Sequence, residues 1–340
     1  MKILQIGAGS MGTRRMRDLS ARDDVEIALF DGWDERREKA VEKFGVRDFK
    51  SFEDALDWNP DTMIISSGPS THRELIKTAI EEGCNCFCEA SLFGYDYKEI
   101  EKVSSEKNLV FAPSFTLYFY PITEVLKGVI SEDLGQLFSY HSIKYFYVPD
   151  WHPGQTAKEY YALNRSTAAA REVVPFELVV YNHLFDCVPV EVTGDVSRRG
   201  SLEIDSEDTW CIQAKLSNDA IGQIIVGMAC PSPKTLALAV GSNGVIEFDM
   251  VGGTIRRNLP GKGIDDTIIV GSVLDVLETV YSNEINTFID TVLGKAEWPL
   301  SYKGLAHATA ALAAGEKSSI SRRAETVDLD VLPGALPDEY

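Results

Sequence analysis

The sequence has little of what secreted, membrane or nucleic-acid-binding proteins need. Its six cysteines are too few for a disulfide framework in 340 residues. No apolar run reaches the roughly 18 residues that span a bilayer, and no signal peptide precedes the first apolar segment, so we expect no membrane contact and a cytoplasmic location. Basic side chains are scarce, since 33 Lys and Arg face 52 Asp and Glu, for a net charge of −19. This deficit argues against nucleic-acid binding, because a phosphate backbone is bound by a surplus of basic residues.

Three of the cysteines, Cys84, Cys86 and Cys88, occupy alternate positions in CNCFCEA and invite a metal-site interpretation. The segment is predicted to be a strand, in which alternate side chains are about 6.6–7 Å apart on one face. Thiolates that share one zinc ion must lie closer together than that. Because no histidine or second cysteine pair is near, we expect small buried side chains and no metal.

The composition, 44% hydrophobic and 25% charged, is that of an ordinary globular protein, and the length allows two domains. In the first third, apolar runs alternate with amphipathic stretches, which is typical of a parallel sheet with crossover helices. We expect strands at 3–6, 25–30, 62–66, 85–88 and 110–112. We expect helices at 12–19, at 34–44 and after Thr71, which forms a capping box with Glu74 in the sequence.

Beyond Pro121 the pattern changes to long β-rich segments joined by turn signals, which favours an antiparallel sheet. Strands are expected at 137–147, 191–199, 209–217, 221–229, 235–241, 245–248 and 254–258, and helices at 122–130, 272–293 and 302–317. The sequence therefore predicts an α/β protein with two domains. Residues 1–118 form an α/β domain with a parallel sheet, and residues 119–340 form an α+β domain with a mainly antiparallel sheet.

The most informative motif lies at residues 3–12, where ILQIGAGSMG ends in three glycines with the spacing G-x-G-x-x-G. An apolar strand, a glycine turn that admits a pyrophosphate, and a helix N-terminus together make a binding site for the phosphates of a dinucleotide. We assign these contacts to Gly7, Gly9, Ser10, Met11 and Gly12. The alternative is a glycine turn in an α/β protein that binds no nucleotide.

The second predicted strand ends at Asp31, nineteen residues after Gly12, where a ribose-binding carboxylate is expected. An acid there accepts hydrogen bonds from the adenosine ribose and repels a 2′-phosphate, so it favours NAD over NADP. Arg36 and Arg37 follow closely and weaken that preference, which leaves NADP possible.

Three stretches resemble one known family. They are GAGSMG near the N-terminus, DTMIISSGPSTHRELIKTAIEEGCNCFCEAS at 61–91, and EINTFIDTVLGKAEWPLSYKGLAHATAAL at 284–312. They are similar to the glucose–fructose oxidoreductase, inositol dehydrogenase and MocA family (Gfo/Idh/MocA), and the similarity covers nearly the whole chain. The resemblance implies a Rossmann domain, an open-faced sheet domain, and hydride transfer between NAD(P) and a sugar or polyol hydroxyl. It also implies cofactor contacts near the nicotinamide from Ser67, Pro69, His72, Glu89 and Ala90.

One departure from the family pattern bears on the chemistry. The family usually carries Glu-Lys-Pro, whose lysine contacts the substrate hydroxyl and the nicotinamide, whereas this chain has Glu89, Ala90 and Ser91. Acid–base help of that kind contributes typically ~10² to 10⁴-fold, and alanine contributes none. The family's aspartate four residues before a helical histidine is also absent, because Val179 occupies that position.

The family's His-x-x-Asp is matched by His183 and Asp186. We expect their helix to begin near Pro175 and to stop before Pro189. The two side chains would then share a face, so that Asp186 orients the imidazole, and histidine titrates near neutral pH, which suits proton transfer. The alternative is a histidine that only satisfies its nitrogens inside a packed helix.

Four further residues are candidates for substrate binding. Trp151 and His152 follow a strand end, and an indole face suits the C–H side of a sugar ring, while Tyr161 and Glu172 carry groups that bind hydroxyls. The alternatives are a packed loop and charges that flank a helix. Lys144 could replace the missing amine, although a lone lysine in a strand is usually solvated.

The first hypothesis is therefore an oxidoreductase that depends on NAD, with NADP possible, and acts on a sugar, nucleotide-sugar or polyol. The second, motivated by Ala90, is a catalytically degenerate NAD-binding sensor or scaffold protein. The third is an NAD-dependent glycosidase that works through transient oxidation, an activity known among relatives of the family. Because an open sheet face is a natural self-association surface, we expect a homodimer or homotetramer.

Overall fold

The structure is a computed structural model that describes residues 1–90, 96–151, 169–200, 202 and 207–330. The chain divides into two compact units. The described part of the first unit consists of residues 1–90, 96–119 and 277–303, and the second takes the described residues of 120–276 and 304–330. A single domain boundary after residue 118 stays a prediction. That prediction did not include residues 277–303 in the first unit, where the structure has them.

The first unit is built on a six-stranded parallel sheet in the order β3-β2-β1-β4-β5-β6. Its strands are β1 Lys2–Ile6, β2 Glu26–Phe30, β3 Arg47–Phe49, β4 Thr62–Ile65, β5 Asn85–Cys88 and β6 Phe111–Pro113. The order reverses direction between β1 and β4, the point at which doubly wound sheets bind their ligands. The predicted Rossmann architecture is confirmed. The three-residue strand β3 was not predicted, since it is too short to show a period.

Nine α-helices lie in the part of the chain that the structure describes. They are α1 Ser10–Leu19, α2 Asp34–Phe44, α3 Phe52–Asp57, α4 His72–Glu82, α5 Tyr97–Lys107, α6 Pro121–Val129, α7 Ala169–Phe185, α8 Leu277–Val292 and α9 Tyr302–Ser321. Helices α2 and α4 end at Gly45 and Gly83, whose φ angles of 63° and 70° belong to the left-handed region. Glycine adopts that conformation at little cost, which fixes where both helices stop.

The predicted capping box before α4 is wrong. Thr71 has helical backbone angles and makes no side-chain cap, and its hydroxyl donates to the carbonyl oxygen of Gly68 at 2.8 Å. The reason is a 3₁₀ turn, Pro69–Thr71, that leads directly into the helix. Thr71 is therefore already inside a helical segment and cannot act as its cap.

The second unit is built on a nine-stranded sheet in the order β14-β13-β12-β11-β7-β10-β9-β8-β15. Its strands are β7 Leu137–Tyr147, β8 Pro189–Ser197, β9 Thr209–Leu216, β10 Ile221–Gly227, β11 Ala229–Gly241, β12 Gly244–Asp249, β13 Thr254–Leu259, β14 Ile264–Ile269 and β15 Glu325–Thr326. All neighbours are antiparallel except β7 and β10, which pair in parallel. The predicted mainly antiparallel sheet is confirmed. Strand β14 was missed, because its polar half carries two exposed aspartates in a row.

Helix α7 begins at Ala169, so the predicted start near Pro175 is wrong, and this proline lies inside the helix. Proline is favoured in the first turn because N–H groups there have no intrahelical partner, so the lack of one costs nothing. This preference alone does not fix where a helix begins. The predicted end is close, since the helix stops at Phe185, ahead of Pro189.

Helix α8 comes from late in the chain and packs on the parallel sheet of the first unit. The ring centroids of Phe87 on β5 and Phe288 on α8 are 5.4 Å apart, and Trp298 makes edge contacts with both. Ile3 and Ile285 are fully buried in the same cluster. This apolar contact explains why residues 277–303 belong to the first unit. No helix among the described residues is long and apolar enough to cross a membrane.

Candidate active site

The glycine turn joins β1 to α1, as the sequence predicts. Gly7 has a φ of +94°, and a Cβ there would lie 2.7 Å from the carbonyl oxygen of Ser66. Nothing lies within 4 Å of a Cβ built on Gly9, so open space faces its backbone. Ser10 and Met11 begin α1, whose first-turn amides have no intrahelical acceptors. The turn therefore presents backbone N–H groups to a space that an anion can fill.

A cleft of about 420 Å³ opens beside this turn. Such a volume lies in the range of small-molecule sites, roughly 300–1,000 Å³. The cleft is lined by Ile6, Gly7, Gly9, Phe30, Asp31, Gly32, Trp33, Arg36, Phe52, Ser66, Ser67, Gly68, Thr71 and Leu75. Three sequence-predicted features, the turn, the acid at the end of β2 and Ser67, thus meet at one cavity.

Asp31 lies at the end of β2 with its side chain largely buried. Its Oδ2 accepts a hydrogen bond from the amide of Ala8 at 2.6 Å, and its Oδ1 accepts one from the amide of Trp33 at 2.8 Å. These bonds hold the carboxylate against the glycine turn. Its remaining lone pairs are the acceptors that a ribose hydroxyl requires.

His72, at the start of α4, is 1% exposed, and its Nε2 lies 3.0 Å from the carbonyl oxygen of Ser67. Burial lowers the pKa of this imidazole, so it is neutral at pH 7 and donates from Nε2. The bond ties the loop after β4, which includes Pro69, to the helix that follows. His72 is therefore placed to hold this loop in position.

Glu89 follows β5 and is held by Arg15 of α1. The guanidinium donates from Nε to Oε1 at 2.6 Å and from Nη2 to Oε2 at 3.1 Å, and Ser66 adds a longer bond of 3.4 Å. Both carboxylate oxygens of Glu89 are therefore held by charge-assisted hydrogen bonds from one guanidinium, which fixes this side chain in place.

The same arginine also binds Glu284 of α8, through Nη2 at 2.7 Å. Glu284 is fully buried and accepts further bonds from the Ser114 hydroxyl at 2.9 Å and the Phe115 amide at 2.7 Å. Burial raises the pKa of this carboxyl, although Arg15 opposes the rise. Sequence reasoning missed this cluster. Arg15 and Glu284 lie on the apolar faces of their helices, and that position was a signal that they are buried.

In the second unit, His183 lies near the end of α7 and is half-buried. Its pKa is lowered to about 4, mainly by desolvation and also by the charge of Lys127, while Asp186 opposes the shift. The imidazole is therefore neutral at pH 7. A neutral imidazole is the form that accepts a proton.

Asp186 lies outside α7, contrary to the expectation that both residues share one helical face. Its φ is +49° and its amide donates to the Asn182 carbonyl oxygen at 3.1 Å, so it ends the helix. Its action on His183 is electrostatic. Glu172 lies on α7, eleven residues before the histidine. The rings of Trp151 and Phe146 form a T-shaped pair whose centroids are 5.6 Å apart. His152 and Tyr161 lie outside the described residues.

The expectation that Lys144 is solvated is wrong. Its side chain on β7 is 9% exposed, and Nζ lies 3.1 Å from Oε1 of Glu177 on α7. The other oxygen of Glu177 accepts a bond from the buried hydroxyl of Ser142. The pair joins a helix to a sheet, which the sequence of the strand alone does not reveal.

Comparison with known proteins agrees with this geometry. Residues 1–106 match the GFO_IDH_MocA family, described as an oxidoreductase family with an NAD-binding Rossmann fold. The chain is 23% identical over 252 residues to an uncharacterized oxidoreductase of Streptococcus pneumoniae serotype 4, a match that covers 72% of this chain and 67% of the relative. It is 24% identical over 204 residues to a 2,7-anhydro-N-acetylneuraminate hydratase of Mediterraneibacter gnavus, which covers 58% of this chain and about half, 54%, of that protein.

Two solved structures share the fold over almost the full length of both chains. One is an oxidoreductase of Agrobacterium radiobacter in complex with NAD⁺, L-tartaric acid and magnesium, with a TM-score of 0.82, 16% identity, and coverage of 96% of this chain and 98% of that one. The other is a levoglucosan dehydrogenase with NADH and levoglucosan, with a TM-score of 0.80, 16% identity, and coverage of 96% and 99%. The resemblance stated from the sequence is confirmed for residues 1–106, which match the model of the Gfo/Idh/MocA oxidoreductase family with its NAD-binding Rossmann fold.

Proposed function

We propose that this protein is an NAD-dependent oxidoreductase that transfers hydride between the nicotinamide and a hydroxyl of a sugar, nucleotide-sugar or polyol. The observation that carries the proposal is the cleft beside the glycine turn, where Asp31 is fixed by two backbone amides. The structural neighbours support the substrate class, because levoglucosan and tartaric acid both carry secondary hydroxyls.

In this proposal the residues of the chain bind and orient the cofactor and exchange a proton with the substrate. The turn at Gly7, Gly9 and Gly12 holds the pyrophosphate, and Asp31 holds the adenosine ribose. NAD, when bound, supplies the hydride acceptor. His183 takes the proton from the substrate hydroxyl, for which its neutral state at pH 7 is the required form.

The test is the variant His183→Ala in a substrate screen followed by NADH absorbance. We expect turnover to fall by about 10²-fold or more, the range of general acid–base contributions, while the Kd for NAD stays unchanged. Asn182→Ala, an exposed position on the same helix, is the matched control. Unchanged turnover in His183→Ala would remove the proposed role.

A second function, a degenerate NAD-binding sensor or scaffold, is favoured by Ala90, where the family's lysine is missing. The variant Ala90→Lys distinguishes the two. A gain of dehydrogenase activity from zero would favour the degenerate protein, whereas an active parent protein argues against it. Glycosidase turnover without net NADH formation would instead indicate the NAD-dependent glycosidase.

We further propose that the protein forms a homodimer or homotetramer through the sheet of its second unit. An apolar row of three partly exposed side chains crosses neighbouring strands β10, β7 and β11, and it consists of Ile225, Ile143 and Leu236. Contiguous apolar surface on a folded chain marks an interface. Sedimentation at micromolar concentration tests this, and a monomer would contradict it.

A further inference from the structure

The first unit buries an unequal set of charges at the carboxyl end of β5. Arg15 is fully buried and pairs with two carboxylates, Glu89 after β5 and Glu284 on α8. Glu284 is also fully buried, and 12% of the Glu89 side chain is exposed. We refer to these three residues as the Arg15 cluster. One guanidinium against two carboxylates leaves the cluster with one negative charge.

The hydrogen bonds of Glu284 favour its ionised form. Its Oε1 accepts a bond from the Phe115 amide at 2.7 Å, and its Oε2 accepts one from Arg15 at 2.7 Å. Bonds donated to both oxygens of a carboxyl group stabilise the carboxylate. Glu89 likewise accepts at both oxygens from the same guanidinium. Both acids of the cluster are therefore bound as anions.

The charges beside the cluster on α1 and α8 cancel one another. Arg14 and Arg17 of α1 both pair with Glu278 of α8, and Arg17 also pairs with Asp18. These pairs contain two cations and two anions. Among the described residues of the two helices, they leave the negative charge of the Arg15 cluster without compensation.

The surroundings of the guanidinium transmit this charge well. The ring centroids of Phe87 and Tyr281 lie 4.8 Å and 5.7 Å from the guanidinium carbon of Arg15. Water is excluded from this part of the unit, since Phe87 and Arg15 are both fully buried. A charge in such a setting acts over several ångströms and is screened little by salt.

The cluster lies on the side of the cleft away from Asp31. The strands run in the order β2-β1-β4-β5, with Asp31 after β2 and Glu89 after β5. Ser66, which lines the cleft, lies within 3.4 Å of Glu89 Oε1. A dinucleotide binds across the ends of such strands, so an adenosine ribose at Asp31 directs the nicotinamide half towards β4 and β5.

We propose that the net negative charge of the Arg15 cluster makes this protein bind the oxidised cofactor in preference to the reduced one. The oxidised nicotinamide ring carries a positive charge and the reduced ring carries none, so a nearby anion attracts only the oxidised form. Because NAD⁺ is bound more tightly than NADH, bound NAD⁺ accepts hydride less readily than free NAD⁺ does. The cluster therefore favours the direction in which NADH gives its hydride to a carbonyl carbon and the carbonyl oxygen takes up a proton. This inference rests on the proposed function and adds the direction of its reaction.

The experiment measures the Kd for NAD⁺ and for NADH by calorimetry, with no substrate present. It is carried out at pH 8, because burial raises the pKa of Glu284. The parent protein should bind NAD⁺ more tightly than NADH. Glu284→Gln and Glu89→Gln should each raise the Kd for NAD⁺ about 3- to 30-fold more than the Kd for NADH, the effect of one charge several ångströms away. Each variant keeps one balanced ion pair with Arg15, so both should fold.

Glu278→Gln is the matched control, because it removes the same charge from the same helix. Glu278 is 53% exposed and its charge is screened by water, so this variant should leave the ratio of the two Kd values unchanged. An equal rise of both Kd values in Glu284→Gln would make the cluster purely structural and would overturn the proposal. A parent protein that binds NADH more tightly than NAD⁺ would overturn it without any variant. Failure of the proposed function looks different, since neither cofactor would then bind to the parent protein.

Discussion

The carbonyl oxygen of Gly7 lies 2.0 Å from the position that a Cβ on Gly12 would occupy. The strand end and the first turn of α1 are therefore packed backbone against backbone. By contrast, a Cβ on Gly9 has no atom within 4 Å. The glycines of one motif thus serve two purposes, since Gly12 allows the packing of the helix and Gly9 leaves room for a ligand.

This difference predicts opposite effects of two alanine substitutions. Gly12→Ala should destabilise the protein by about 1–3 kcal/mol or more, because a new methyl group overlaps a backbone carbonyl. Gly9→Ala should leave stability within about 1 kcal/mol and raise the Kd for NAD, because its methyl group fills the open space. Chemical unfolding and calorimetry with NAD separate the two. Equal losses of stability would contradict the assignment.

The pair of Arg15 and Glu89 predicts a large loss of stability when the cation is removed. Arg15→Met leaves Glu89 and Glu284 buried without their shared partner, which should cost about 3–5 kcal/mol. Arg14→Met is the matched control, because Arg14 pairs with Glu278 at the surface and such pairs contribute about 0–1 kcal/mol. Urea unfolding measures both. Similar values for the two variants would show that the buried cluster stabilises the fold no more than a surface pair.

His183 predicts a dependence of stability on pH. Its pKa is about 4 in the folded protein and near 6.5 when unfolded, so the unfolded chain binds the proton first as the pH falls. The contribution of His183 to the free energy of unfolding should therefore decrease between pH 6.5 and pH 4 and change no further below that. His183→Gln should remove about 1–2 kcal/mol of this decrease, allowing for solvent screening, whereas Asn182→Ala, an exposed change beside it that alters no titratable group, should not. Unfolding curves at pH 7.5 and pH 4.5 provide the measurement.

Asp31 predicts a change in cofactor preference. In Asp31→Asn the side chain can accept from only one of the two amides of Ala8 and Trp33, and its negative charge is lost. We expect NAD to bind roughly tenfold more weakly and NADP to lose its disadvantage. Glu38→Gln, an exposed change on α2, is the control. Calorimetry that finds the NAD to NADP ratio unchanged would show that Asp31 does not discriminate.

Sequence reasoning predicted the first unit better than it predicted the helix of His183 in the second unit. The strands β1, β2, β4 and β5 were found because buried parallel strands are continuous apolar runs. The glycine motif placed Gly7 and Asp31 at one cleft, since the ends of neighbouring parallel strands meet at one edge of the sheet. The helix around His183 was predicted to begin too late, because the residues before Pro175 are helical as well, and Arg171 and Val174 among them are buried.

What the sequence alone determined is the chemistry that local pattern encodes: the strand, the glycine turn, the helix after it, and the acid that ends the next strand. Tertiary structure decided which charges are buried and with whom they pair. Arg14 and Arg15 are neighbours in the chain, yet Arg14 is partly exposed and Arg15 is buried. Arg15 pairs with Glu89 and Glu284, which are 195 positions apart in the sequence. Such partners are brought together by the packing of α8 on the sheet, and no short-range pattern records a contact made across that distance.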